Sequence, residues 1–285
     1  MQGSVAVLLG CVGLLADALS LREKQLDQAL DKDELSYPPS VSITAKGAPQ
    51  DQELLEGSGF TLQCEAHGIP PPTIVWTHKG QLVKQGDVNA TGPNTVEKLL
   101  NSGKRTVQHG VTVSRLRRDC VGAEDAGEYA CVASNTYATD QAEAVVRVVK
   151  APEGGRPECA IAPKRGPPAV GGGRPARVFM WTTGRFELRG NSAQLFCRAD
   201  GSPDVAISWR RADVEGKPVI PKNGDNFKVL ESGDLLVERG VGYYSLECTA
   251  ENAFGSDTVD TFFYATAHET DTEEERIAQA NEPNY

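Results

Sequence analysis

The sequence predicts an all-β chain built from two sandwich domains in tandem. In its first half, Cys64 is followed twelve residues later by Trp76, and residues 125–131 read Asp-x-Gly-x-Tyr-x-Cys. The second half repeats the same Cys-to-Trp spacing at Cys197 and Trp209. A sandwich whose two sheets are bridged by a disulfide, with a Trp packed against the bridge, uses residues in this order.

The Asp-x-Gly-x-Tyr-x-Cys motif indicates which kind of sandwich this is. A Tyr two residues before the second Cys forms a tyrosine corner, in which its hydroxyl bonds to backbone a few residues upstream. This combination is typical of immunoglobulin-like domains. The predicted core residues are Trp76, Tyr129 and Trp209, and the predicted inter-sheet disulfides are Cys64–Cys131 and Cys197–Cys248.

Length and charge limit the possible functions. The chain has 285 residues and a formal net charge of -10, so it has room for two domains of about 100 residues. An acidic surface disfavours nucleic acid and anionic membranes as partners. Residues 115–118, Arg-Leu-Arg-Arg, are a local exception, which is either a basic patch or a solvated strand end.

The N-terminal region predicts secretion. Residues 5–16 are apolar and are followed by Asp17 and Ala18, so residues 1–18 have the apolar run and small-residue cleavage site of a signal peptide, although no Lys or Arg precedes the run. Residues 19–37 form a polar leader, either disordered or a short helix. No later stretch is apolar enough to predict membrane insertion or a lipid anchor. We therefore expect a secreted, extracellular protein.

Composition divides the remainder of the chain. Residues 38–150 are predicted to form the first immunoglobulin-like domain and residues 177–267 the second. Residues 151–176 contain six Gly and six Pro and are expected to be a linker. Residues 268–285 are rich in acidic side chains and are expected to be a disordered tail.

Six of the seven cysteines lie beyond the predicted signal peptide, which indicates an oxidising compartment. Cys120 precedes the strand that carries Tyr129, and Cys159 follows the predicted end of the first domain by nine residues. Both thiols should lie near one pole of that domain, so a Cys120–Cys159 bridge is sterically plausible. Two surface thiols or an intermolecular bridge are the alternatives.

Two further positions carry expectations. Asn89 begins an Asn-Ala-Thr sequon, which in a secreted chain predicts a glycan and a surface loop, unless the sequon is unused. In the second domain, Leu246 occupies the position of the corner tyrosine, with Tyr243 and Tyr244 just upstream. Either the corner is rebuilt around a shifted Tyr, or the sequence is locally altered.

No catalytic or metal-binding constellation is recognisable. No Cys-x-x-Cys pair occurs, and the four His do not fall in a nucleophile or metal motif. We therefore expect a protein that is not an enzyme and has no cofactor.

Several segments resemble one family of secreted proteins. These segments are residues 96–104, 179–187 and 260–264, together with the extra Cys120 and Cys159. They are similar to the nematode zig family of two-immunoglobulin-domain proteins and to its insect relative, a secreted insulin-binding imaginal morphogenesis protein. The nematode resemblance implies I-set domains, secretion and a neuronal role, chiefly in maintaining axon position. The insect resemblance implies sequestration of insulin-like peptides. The long Gly/Pro linker and the altered second corner depart from the family pattern.

Three hypotheses follow. The first is a neuronal recognition factor that binds a cell-surface or matrix protein, another immunoglobulin-superfamily ectodomain or itself, in adhesion, axon guidance or axon maintenance. The second is an antagonist that captures an insulin-like peptide. The third is a structural matrix or cytoskeletal module. An exposed apolar patch on one sheet would favour peptide capture, whereas a polar, glycan-flanked surface would favour recognition through loops.

Overall fold

The computed structural model describes residues 35–86, 95–150, 173–224 and 226–267, and in these it is almost entirely β-structure. The predicted signal peptide, most of the predicted leader, the Asn89 sequon, Cys159 and the predicted tail lie outside the described residues. Cys120 is disulfide-bonded, but a Cys120–Cys159 pairing stays a prediction.

Sixteen strands and two short helices make up the described fold. In chain order they are β1 (Ser40–Ile43), β2 (Gln52–Leu55), β3 (Phe60–Ile69), β4 (Thr73–His78), β5 (Gln81–Val83), helix α1 (Thr95–Asn101), β6 (His109–Arg118), a 3₁₀ helix (Ala123–Asp125), β7 (Gly127–Ser134), β8 (Thr139–Val149), β9 (Arg174–Leu188), β10 (Ala193–Leu195), β11 (Cys197–Ser202), β12 (Ala206–Arg211), β13 (Phe227–Val229), β14 (Leu235–Val237), β15 (Tyr243–Asn252) and β16 (Gly255–Thr266).

Each half of the chain forms a two-sheet sandwich. In the first, β1, β3 and β6 face a five-stranded sheet of order β2-β8-β7-β4-β5. In the second, β9, β16, β15 and β12 face β10, β14 and β13, and β11 pairs with the first part of β9. Strand β9 begins at Arg174, inside the range that the composition assigned to the linker.

The two sandwiches share one continuous sheet of order β1-β3-β6-β9-β16-β15-β12. Its central junction is the antiparallel pairing of β6 with β9, which runs from His109 opposite Phe186 to Ser114 opposite Met180. We call this the joined sheet. Because backbone hydrogen bonds cross from one domain to the other, the domains are held edge to edge and not merely tethered.

The predicted disulfides Cys64–Cys131 and Cys197–Cys248 are formed. Trp76 and Trp209 are both fully buried, and the indole N–H of Trp76 donates to the hydroxyl of Ser114 at 3.0 Å. Each hydrophobic core also contains side chains from the other domain. Phe179 and Met180 of β9 pack in the first core, and Val113 of β6 packs in the second. Burial therefore reinforces the hydrogen bonds of the joined sheet.

The two domains build their corners differently. In the first, the Tyr129 hydroxyl donates to the carbonyl of Asp125 at 2.9 Å. In the second, Tyr244 is fully buried and its hydroxyl lies 3.4 Å from the backbone nitrogen of Val241 and 3.4 Å from the Asn226 amide. Because residues two apart in a strand share a face, Tyr244 lies on the same side as Leu246. The second corner is thus rebuilt around a tyrosine shifted by two positions.

Replacing Leu246 with tyrosine should lower the melting temperature. Leu246 is fully buried in the second core, so a larger polar ring has no room and its hydroxyl has no partner in the described surroundings. Overpacking of this kind costs about 1–2 kcal/mol. Thermal unfolding of the wild type, Leu246→Tyr and the milder control Tyr244→Phe measures the difference. An unchanged or raised melting temperature for Leu246→Tyr would mean that the position still accepts a corner tyrosine.

Candidate functional site

A row of aromatic rings crosses the outer face of the joined sheet. From the first domain to the second, ring centroids are 6.4 Å apart between His67 and His109, and 5.5 Å apart between His109 and Phe186. Phe186 then meets Phe262 at 5.5 Å and Tyr264 at 6.2 Å. We call these five residues the aromatic row. It spans strands β3, β6, β9 and β16, and therefore exists only because the domains are joined.

Strand register explains why these side chains share a face. Phe186 lies directly between His109 on one neighbouring strand and Tyr264 on the other. Residues paired across neighbouring strands point to the same side of a sheet. Tyr243 continues the row because it pairs with Tyr264, and both tyrosines are about half exposed, at 49% and 44%. This is a substantial apolar surface open to a partner.

A cavity of about 460 Å³ adjoins the row at the end of the sheet, where residues of β3, β6, β9 and β16 line it together with Ser36 and Tyr37. Its lining is mainly apolar and includes Tyr37, Ile69, Val107, His109, Phe186 and Leu188. This volume is within the range of small-ligand and side-chain pockets. An anchoring side chain of a partner lying on the row could enter it.

The imidazole of His109 in the row is neutral near neutral pH. Burial lowers the pKa of His109, and the neighbouring His67 and Arg185 lower it further. His109 is therefore neutral under physiological conditions, and the rings of Phe186 and Phe262 beside it carry no charge. The face is suited to apolar and aromatic contacts more than to ion pairing.

The inner side of the same stretch of β9 carries a buried ionic cluster. Arg185 is fully buried and its guanidinium donates to Glu97 of α1 and, at 3.1 Å, to Glu187. Glu187 also accepts backbone hydrogen bonds from Val107 at 2.7 Å and Gln108 at 3.1 Å. We call Glu97, Arg185 and Glu187 the joint cluster, because it ties α1 and the start of β6 to the second domain directly behind the row.

Helix α1 makes further contacts with the second domain. Asn101 and Ser192 exchange two hydrogen bonds, each 2.8 Å, between the Asn101 side chain and the Ser192 backbone. The Gln194 backbone donates to Glu97 at 2.7 Å, and the Asn191 amide donates to the Arg105 carbonyl at 2.7 Å. The face that carries the row is thus supported from behind by a buried polar network that links α1 to the second domain, although the Nε atom of Arg185 has no hydrogen-bond partner among the described residues.

The joint cluster has two carboxylates for one guanidinium. Burial raises the pKa of Glu97; the negative charge of Glu187 adds to this effect, while Arg185 and the Gln194 backbone N–H oppose it. A carboxyl pKa raised on folding contributes stability that is fully present below the unfolded pKa and is lost as pH rises through the folded pKa. Ionised Glu97 therefore makes the folded protein relatively less stable toward neutral pH.

Replacing Glu97 with glutamine should make stability less dependent on pH. The amide resembles the protonated acid, so the melting temperature of the wild type relative to Glu97→Gln should fall as pH rises from about 4.3, the unfolded Glu pKa, toward neutrality. Melting curves from pH 4 to pH 8 measure this, with Glu143→Gln on the exposed part of β8 as the control. A difference that stays constant over this range would contradict the raised pKa.

The core residues predicted from the sequence belong neither to the aromatic row nor to the joint cluster. Trp76, Tyr129 and Trp209 are all internal. The segments that carry the family resemblance do mark the junction between the domains. They are residues 96–104, 179–187 and 260–264, and they meet there. Glu97 is in the first, Arg185 and Phe186 are in the second, and Tyr264 is in the third. His109, which belonged to no motif, becomes part of the row only through strand pairing.

Comparisons with known proteins agree with this architecture. Residues 38–135 match the immunoglobulin domain family. The Caenorhabditis elegans zwei Ig domain protein zig-4 is 33% identical over 85% of this chain and 86% of its own length. The chain belongs to the zwei Ig domain protein family. Zig-3 from the same organism is 30% identical over 91% of this chain and 98% of its own length.

A solved structure shares the fold of this zwei Ig protein. The crystal structure of neural ectodermal development factor IMP-L2 is similar with a TM-score of 0.55 and 23% identity, over 80% of this chain and 96% of the other. Within the described residues of the zwei Ig protein, no helix is long and apolar enough to cross a bilayer, and no group of three potential metal ligands occurs.

Proposed function

We propose that this zwei Ig protein is a secreted, non-catalytic recognition protein that acts at neuronal surfaces and binds a protein partner through the outer face of its joined sheet. The observation that carries the proposal is the aromatic row with its adjoining cavity. Aromatic side chains dominate the binding energy of protein interfaces, especially when they surround a pocket that a partner can fill. The row has both features and crosses the domain junction.

Rigidity supports this choice of site. Binding costs free energy whenever loops or domains must be ordered, so a surface that is already fixed keeps more of its contact energy. The row lies on four hydrogen-bonded strands and is supported from behind by the joint cluster and α1. A partner would therefore meet a preformed face shared by both domains.

The neuronal setting rests on the relatives. The resemblance to the zig family implies roles in adhesion, axon guidance or maintenance of axon position, and the structural neighbour is a neural ectodermal development factor. The partner in this proposal is an extracellular or cell-surface protein, such as another immunoglobulin-superfamily ectodomain or a second copy of this chain.

Capture of an insulin-like peptide is a second candidate, and one observation favours it. The row forms an apolar surface in the middle of a sheet, not a polar surface at the loops. That is the property expected of a face that holds a short apolar peptide. In this case the protein would sequester the peptide and antagonise insulin signalling.

A binding screen separates the two candidates. The purified secreted chain is immobilised and tested against a panel of insulin-like peptides and, in parallel, against an array of neuronal ectodomains that includes the chain itself. A Kd below about 1 μM for an ectodomain, with no peptide bound, supports the neuronal recognition factor. Submicromolar binding of a peptide supports the antagonist. Binding to neither set would overturn both and favour a structural module.

A further inference from the structure

The joined sheet divides beyond the junction. Strands β6 and β9 pair only as far as Ser114 and Met180. From there β6 continues beside β3 to Arg118, whereas the preceding part of β9, back to Arg174, pairs with β11 of the second domain. We call the cleft between these diverging strands the fork. The Gln85 side chain donates to the Arg115 carbonyl at 2.7 Å and so covers the edge that β6 exposes there.

Cationic side chains line the fork from both domains. Two carboxylates, Asp119 and Asp200, also line it, and they make ion pairs with Arg177 at 3.3 Å and Arg174 at 3.4 Å. The six cationic residues at the fork are Lys84, Arg115, Arg117, Arg118, Arg174 and Arg177. Because the whole chain has a net charge of -10, this concentration of positive charge runs against the overall balance.

Some guanidinium nitrogens at the fork donate no hydrogen bond to the described residues. The buried Nε atoms of Arg117 and Arg118 have no hydrogen-bond partner among the described residues. Arg115 lies 4.4 Å from the centroid of the Trp181 ring, which holds it at the junction by a cation–π contact. Burial lowers the pKa of Arg115; Asp257 acts against this and Arg117 adds to it. Arg117 also makes an ion pair with Asp257 at 4.0 Å, so an anion bound at the fork would add to a stabilisation that Asp257 already gives these guanidinium groups.

The size and lining of the fork indicate the kind of anion. The fork itself encloses about 130 Å³ and adjoins a wider cleft of about 1270 Å³, which shares Lys84, Arg174 and Asp200 with it and is also lined by Lys222, Asp204 and Glu231. Together the two spaces exceed the needs of one phosphate or sulfate ion and have room for an extended chain, whose anionic groups would be held at the fork because cations and carboxylates are mixed in the wider cleft. Nucleic acids also have repeated charges, but single strands bind largely by stacking bases on exposed aromatic rings. Phe179 is the one aromatic residue lining either described cleft, and it is only 8% exposed.

We infer that the fork binds a sulfated glycosaminoglycan. The sulfate groups along such a chain are bound by lysine ammonium and arginine guanidinium groups, and cations on both sides of the fork supply these. The inference rests on the extracellular location proposed above, which the two inter-sheet disulfides and the family membership support and where these polyanions occur. The fork lies about 20 Å along β6 from His109 of the aromatic row. Matrix attachment at the fork would therefore leave the row open to a protein partner.

Heparin affinity tests the inference on the full secreted chain. The fork variant is Lys84→Ala/Arg174→Ala/Arg177→Ala, which changes the two exposed cations and Arg177, whose side chain is 35% exposed. The matched control is Lys46→Ala/Lys104→Ala/Arg147→Ala, which removes the same charge at exposed positions outside the fork. We expect the wild type and the control to bind immobilised heparin at about 150 mM salt, and the fork variant to bind about tenfold more weakly.

Three outcomes would overturn the inference. The first is no retention of the wild type, and the second is an equal loss in the fork and control variants, which would indicate only diffuse attraction. The third is competition by single-stranded DNA as effective as that by heparin, which would indicate a different polyanion. Melting temperatures verify that each variant is folded. If the triple variant fails to fold, Lys84→Gln alone applies the same test at an exposed side chain and should reduce heparin affinity measurably.

Discussion

Replacing Arg185 with methionine should lower the free energy of unfolding by about 3–5 kcal/mol, since removing one member of a buried ion pair leaves the remaining charge uncompensated. Here the substitution leaves two buried carboxylates, those of Glu97 and Glu187, without their cationic partner. It also removes hydrogen bonds to the carbonyls of Phe186 at 2.7 Å and His109 at 3.5 Å. Methionine fills much of the space but supplies no donor.

The location of Arg185 predicts a second effect. Its partners come from α1 in the first domain and from β9 in the second, so the domains should become less strongly coupled. Wild-type unfolding in denaturant should be a single transition, and Arg185→Met should separate it into two. Amide hydrogen exchange should accelerate in α1 and around Ser192, whose backbone bonds to Asn101.

A matched control keeps this test specific. Arg147→Met makes the same chemical change on the exposed part of β8, where surface substitutions usually change stability by less than about 0.5 kcal/mol. If Arg185→Met cost no more than this control and unfolding remained a single transition, the joint cluster would not be what couples the domains.

Features that depend on short stretches of the chain could be predicted from the amino-acid sequence alone. The Cys64–Cys131 and Cys197–Cys248 disulfides follow from the spacing of Cys and Trp, because an inter-sheet bridge and its packed indole occupy fixed places on successive strands. The rebuilt corner was partly predictable as well. Tyr244 was one of two candidates, and strand periodicity assigns it to the same side as Leu246.

The junction between the domains could not be predicted in the same way. Pairing of β6 with β9 rests on backbone hydrogen bonds between residues such as His109 and Phe186, and no residue type marks this pairing in the way that Cys and Trp mark an inter-sheet bridge. The Gly/Pro-rich composition of residues 151–176 predicted a linker between the two domains. It could not indicate that Arg174 begins a strand or that Phe179 enters the first core. The aromatic row depends on this pairing and was missed for the same reason.

Replacing Tyr264 with alanine should weaken binding of the protein partner by about 2–4 kcal/mol, or roughly 30-fold or more in Kd. Tyr264 is 44% exposed and packs edge-on against Phe186 in the middle of the row. Truncation therefore removes contact area that a partner would cover but little of the folded core. The measurement is the Kd for whichever ligand the screen identifies, with the melting temperature recorded to verify folding.

Phe254 provides the matched control because it is equally exposed, at 46%, but lies at the tip of the hairpin between β15 and β16. Recognition through the sheet face requires Tyr264→Ala to weaken binding while Phe254→Ala leaves Kd within about twofold. The reverse result would move the site to the loops, where many immunoglobulin-like domains bind their ligands. The joined sheet would then serve only to fix the distance between two sets of loops. Because both substitutions remove an aromatic ring of similar exposure, the difference between them measures location and not hydrophobicity.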